Sequence, residues 1–118
     1  MDNQLTKAEE QVMQILWRLK RAVVKDIIAE LPDPKPPYNT ISSVVRILVQ
    51  KGFVSFKAYG KTHEYFPLVS KETYGKTAFK SFISKYYNGS IKNLISAFSD
   101  EPDLDIQELS DLIDSLKK

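Results

Sequence analysis

At Gly52 the spacing of the apolar residues changes period, and this change constrains the fold more than any other feature of the chain. Ahead of the glycine, Ile41, Val44, Val45, Leu48 and Val49 recur in steps of three and four, the period of a helix buried along one stripe. Beyond it, Phe53-Val54-Ser55-Phe56-Lys57-Ala58 and Thr62-His63-Glu64-Tyr65-Phe66 read as two strands joined by a Tyr59-Gly60-Lys61 turn. Gly52 stands where a left-handed C-terminal cap belongs. The helix begins near Tyr38 or Asn39, because Pro32-Asp33-Pro34-Lys35-Pro36-Pro37 lacks the amide hydrogens and the backbone freedom a helix needs.

Two further helices precede that connector. Thr6-Lys7-Ala8-Glu9 has the form of a capping box. Val12, Ile15, Leu16 and Leu19 follow on one face, and Lys20-Arg21 suits the negative end of the helix dipole. Ala22-Val23 can form a very short strand, and residues 24–31 a second helix with Ile27, Ile28 and Leu31 inward, stopped by Pro32. Residues 5–69 therefore read helix, helix, helix, hairpin.

From Ser70 onward only helical spacing is found. Tyr74, Ala78, Phe79, Phe82, Ile83 and Tyr86 make a wide apolar face that ends at Asn88-Gly89. Ser90 caps a short helix carrying Ile91, Leu94, Ile95 and Phe98, and Asp100-Glu101-Pro102-Asp103 breaks it. Asp105 with Glu108 caps a last helix whose inward side holds Ile106, Leu109, Leu112, Ile113 and Leu116. A segment this short rarely closes a core of its own. It is expected to pack against a second copy, through Phe79, Phe82, Ile83, Leu94, Ile95, Phe98, Leu109, Leu112, Ile113 and Leu116. The expected fold is mainly α with a small hairpin: a winged helix-turn-helix over 1–69 and a helical dimerisation domain over 70–118.

Several function classes find no support. The chain has no cysteine and one histidine, His63, which leaves no thiolate chemistry and no His-rich metal site. It has no Gly-rich phosphate loop and no Ser/His/Asp set, and Asp111 and Asp114 read as solvated surface. No catalytic residue, metal or cofactor is expected. No apolar run is long enough to span a bilayer, and Met1-Asp2-Asn3-Gln4 opens no secretory signal, so a cytoplasmic protein without membrane insertion is expected. Charge is uneven: residues 1–69 carry ten Lys/Arg against seven Asp/Glu, residues 70–92 five against one, and residues 93–118 two against seven. The basic portion suits a polyanion and the acidic tail does not.

The third helix gives that polyanion an identity. Asn39, Thr40, Ser42 and Ser43 are short polar side chains in its first turns, the end that meets base edges in helix-turn-helix proteins. Arg46, Lys51, Lys57 and Lys61 are expected around it, facing phosphates. The partner is then double-stranded operator DNA. A protein-interaction module of the same fold, without sequence-specific DNA binding, is the alternative, and a sequence-independent architectural protein ranks third.

The residues Leu5-Thr6-Lys7-Ala8-Glu9-Glu10-Gln11-Val12-Met13 with Leu16-Trp17, then Tyr38-Asn39-Thr40-Ile41, Leu48-Val49-Gln50-Lys51-Gly52-Phe53 and Tyr65-Phe66-Pro67-Leu68-Val69-Ser70, stand in the order and spacing of one family. The chain resembles the BlaI/MecI penicillinase-repressor family, and the similarity continues through Phe82-Ile83 and Gly89 to the acidic last helix. The resemblance implies a transcriptional repressor, not an enzyme, that binds inverted repeats as a homodimer in genes of the β-lactam-resistance type. It also implies induction through a membrane sensor system that triggers cleavage, at a bond aligning with Ala97-Phe98. Two departures matter. Ile47 stands where the family often has Arg, the nearby cation being Arg46, and the C-terminal cysteines of copper-responsive relatives are absent.

Overall fold

The computed structural model describes residues 5–101 and 105–116; in the last helix the side chains of residues 106, 109, 112, 113 and 116 lie outside that description. The chain runs α1 (Lys7–Leu19), α2 (Val24–Ala29), α3 (Tyr38–Gln50), β1 (Val54–Tyr59), β2 (Thr62–Pro67), α4 (Lys71–Tyr87), α5 (Ile91–Phe98) and α6 (Ile106–Leu116). It divides into two units, Met1–Lys71 and Glu72–Lys118.

In the first unit, the Thr6 hydroxyl accepts the Glu9 amide at 3.2 Å and the Glu9 carboxylate accepts the Thr6 amide at 2.9 Å. Two of the orphan donors at the start of α1 are thereby satisfied. Helix α2 ends at Ala29, two residues earlier than its apolar spacing suggests. Ahead of Pro32 its last turn tightens, with Glu30 and Leu31 amides donating three residues back, to Ile27 and Ile28. Leu31 is buried all the same. The Ala22-Val23 strand reduces to one antiparallel bridge in which Ala22 exchanges both backbone hydrogen bonds with Tyr65, at 2.9 and 2.8 Å.

The end of α3 follows its glycine. Gly52 takes φ 85° and donates to Val49, and the Phe53 amide donates to Leu48 at 3.0 Å. This is a Schellman closure, and its apolar partners Phe53 and Leu48 are both buried. The hairpin turns on two residues rather than three: Tyr59 pairs with Thr62, and Gly60 adopts φ 64°, as a tight hairpin turn requires at its first loop position. Met13, Leu16, Ile27, Leu48, Val12, Val45 and Val54 form the closed centre of this unit. Met13, outside the expected stripe of α1, is fully buried, whereas Leu19, inside it, is half-buried.

In the second unit, α4 ends where Asn88 and Gly89 take φ 52° and 76°. The Ser90 hydroxyl accepts the Asn93 amide at 3.1 Å to cap α5, and Asp105 accepts the amides of Gln107 and Glu108 to cap α6. α5 and α6 pack together. The side chains expected to face a second copy divide into three groups. Ile83 and Leu94 are buried within one chain. Phe82 is 41% exposed and stacks obliquely on Tyr86 and Tyr87, while Phe79, Ile95 and Phe98 are half-buried. The expectations for Leu109, Leu112, Ile113 and Leu116 fall on side chains outside the described residues.

Candidate nucleic-acid interface

Helix α3 is packed against α1, α2 and β1, which fixes the direction of its free side. Ile41, Val45 and Leu48 point inward, so the opposite arc carries Asn39, Thr40, Ser43, Arg46, Ile47 and Gln50, all exposed. At roughly 100° per residue the arc has two sides. Thr40, Ser43 and Ile47 lie together on one. Ser42 and Arg46 lie on the other, towards the hairpin.

The hairpin side is a cleft of about 330 Å³ between the start of α2, α3 and the tip of the strands. Lys25, Arg46 and Lys61 line it, with His63, Tyr38 and Tyr65. Arg46 leans along its own helix, its Nε 3.5 Å from the Ser42 carbonyl oxygen. Burial raises the Tyr65 hydroxyl above its ordinary pKa and the Tyr38 phenol adds to the rise, while the Arg46 guanidinium pulls it down. The phenol stays neutral and can donate a hydrogen bond to an anion. Three cations around one concave opening, with no acid among the lining residues, suit a phosphate.

The structure gathers only part of the expected set. Arg46 and Lys61 share the cleft. Lys51 does not face outward: its Nζ lies 2.7 Å from Oε1 of Glu9, a carboxylate that is 4% exposed, so the cation is held against the unit's own interior. Lys57 is also elsewhere. It pairs across the strands with Glu64, its ammonium lies over the Tyr59 ring at 5.4 Å, and it borders a separate groove beside Trp17 and Arg21. Lys25 and His63 join the cleft without having been expected there. The imidazole stacks on Phe56, with ring centroids 4.4 Å apart. Strand alternation was the available signal, because His63 shares its face with Tyr65.

Near the candidate cleavage bond, Ala97 is exposed and Phe98 half-buried, in the last turn of α5. Among the described residues no group of three or more His, Cys, Asp or Glu is placed to hold a metal, and no helix is long and apolar enough to cross a membrane.

Residues 5–118 match the penicillinase repressor family. The chain is 33% identical over 122 residues to the methicillin resistance regulatory protein MecI of Staphylococcus aureus (strain N315), across 100% of this chain and 99% of that one. It is 25% identical to the penicillinase repressor of Bacillus licheniformis, across 98% and 91% of the two chains. Among solved structures it is similar to the DNA-binding domain of the repressor BlaI in solution, with a TM-score of 0.53 at 24% identity over 60% of this chain and 88% of that one. That likeness identifies helices α1–α3 with the β1–β2 hairpin as a winged helix.

Proposed function

This chain belongs to the penicillinase repressor family, and from that premise we propose that it represses transcription by binding an inverted-repeat operator as a homodimer. The observation that carries the reading is the outward arc of α3, with uncharged Thr40 and Ser43 set to meet base edges beside the Lys25, Arg46 and Lys61 cleft that suits a phosphate. The first unit binds one half-site, and residues 72–118 couple two copies. A bound dimer blocks the promoter sterically. Phe82, exposed within one chain, and the half-buried Phe79, Ile95 and Phe98 are the described candidates for the contact between copies.

Contacts to bases and contacts to phosphates separate by experiment. Thr40→Ala and Ser43→Ala are each expected to weaken operator binding by about 1–3 kcal/mol and random-duplex binding much less, since only the operator offers the matching base edge. Arg46→Ala and Lys61→Ala should weaken both duplexes alike, each lowering the slope of log affinity against log salt by about one. Titrations of both duplexes at several salt concentrations check this. If operator preference survives both α3 substitutions, α3 is not the reading helix. If the full chain shows no operator preference at physiological salt, an interaction module or an architectural protein takes its place.

The family resemblance supports induction by proteolysis near Ala97-Phe98. Exposure of Ala97 and the Ser99 and Glu101 backbone turns just beyond α5 favour access there. On this reading, cells given the inducer accumulate a fragment ending close to residue 97, which mass spectrometry of the repressor detects. An intact chain during full expression of the target gene overturns cleavage as the switch.

A further inference from the structure

We propose that Ile47 is a specificity-determining residue that reads the C5-methyl group of a thymine in each half-site; this rests on the operator-binding reading above. Ile47 is 41% exposed on the outward arc of α3. A single exposed isoleucine is unremarkable on an ordinary surface, and here its neighbours decide. In helical projection it falls about 20° from Thr40 and about 40° from Ser43, on the side of the arc away from the hairpin. The nearest cation on the helix, Arg46, lies on the other side, in the cleft with Lys61. The base-reading side of α3 is therefore uncharged, with one large branched apolar group at its centre.

Set against the major groove, that side chain has one complementary base-edge group. Every base edge there presents hydrogen-bond donors or acceptors, and only thymine adds a methyl. Facing cytosine, Ile47 would cover the N4 amino donor and return no hydrogen bond. Facing thymine, it gains apolar contact. The β-branched side chain has few χ1 states to lose on binding, so the contact needs little ordering. Ile47 thus supplies selection by shape where an arginine would supply charge.

The test uses the full chain and duplexes selected by it from a randomised pool. In a selected duplex, thymines are replaced one at a time by deoxyuridine, which removes only the methyl. The expected result is one sensitive thymine per half-site, with affinity falling about fourfold, the value of one buried methyl. Ile47→Ala should bind the thymine and deoxyuridine duplexes alike at that position, and Ile47→Val should keep part of the difference. A methyl contact made by Thr40 would fall on another thymine and survive Ile47→Ala. If every replacement is harmless, or the penalty is the same in Ile47→Ala, the inference is wrong while operator binding stands. If the pool yields no preferred sequence, the operator reading fails and the inference with it.

Discussion

A chain ended after Lys71 is expected to bind the operator at least about a hundredfold more weakly than the full chain, because coupling two half-site contacts multiplies affinity through effective concentration. The fragment should fold. Its centre, formed by Met13, Leu16, Ile27, Leu48 and Val54, belongs wholly to the first unit, as does the Trp17 indole bond to the Val69 carbonyl at 2.8 Å. It should sediment as a monomer and keep its preference for operator over random duplex at each half-site. In the full chain, Phe82→Asp should move affinity the same way. Its side chain is exposed in one protomer, and a charge there opposes an apolar contact between copies. Ile83 or Leu94 would make a poorer probe, since both are buried within the single chain and their replacement disturbs folding first. On the proposed reading, cleavage beside Phe98 would act through the same arithmetic, because such a cut would separate α6 from α5, the helix it packs on. A fragment that dimerises, or one that binds the operator as tightly as the full chain, would falsify the assignment of coupling to residues 72–118.

The elements of the winged helix were legible because their signals are local. Thr6 with Glu9, the prolines after Leu31, Gly52 and the change of period after it each act within a few residues, and the structure keeps all of them. What slipped was decided by one residue. A three-residue turn would set Ala58 opposite Thr62, whereas the structure sets it opposite His63. With a period of two, a slip of one residue exchanges the faces of a strand. On the slipped register Lys57 would stand opposite His63, whereas the structure sets it opposite Glu64, on the other face of the hairpin. Within the second unit, apolar spacing marked which side chains avoid water but not what covers them, so Ile83 and Leu94 were grouped with Phe82 although one chain buries the first two.

The exposed arc of α3 was equally legible, since a 3.6-residue period that buries Ile41, Val45 and Leu48 must present Thr40, Ser43 and Ile47. The Lys51–Glu9 pair escapes the sequence for a different reason. The two residues stand 42 positions apart, and Glu9 already had a complete local explanation as the acid of a capping box. Nothing in spacing reveals that one carboxylate does both.

That double role makes Lys51→Met the substitution with the largest expected effect on stability. Burial pushes the Glu9 carboxyl up, but the Lys51 ammonium and the Thr6 amide and hydroxyl outweigh it and hold the pKa below its ordinary value. The folded protein therefore gains stability from the charged carboxylate. That contribution is fully present above the ordinary carboxylate pKa and is lost as pH falls through the lowered folded value. Removing Lys51 leaves the carboxylate buried with no paired cation among the described residues, and about 3 kcal/mol should be lost at neutral pH, the lower end of the range for broken buried pairs because the Lys51 side chain is 27% exposed. Desolvation then acts without the ammonium against it, so the variant's Glu9 pKa rises relative to that of the unaltered protein. The deficit should accordingly shrink as the medium is acidified towards about pH 4, where a neutral carboxyl needs no counter-ion. Glu9→Gln combined with Lys51→Met should be more stable than Lys51→Met alone at neutral pH, since the amide removes the stranded charge and can still accept from the Thr6 amide. Urea unfolding of the three proteins at neutral and acidic pH measures each of these differences. A Lys51→Met deficit that is small, or that does not change with pH, would show that Glu9 gains nothing from the ammonium, and Lys51 would return to the set of cations available to DNA.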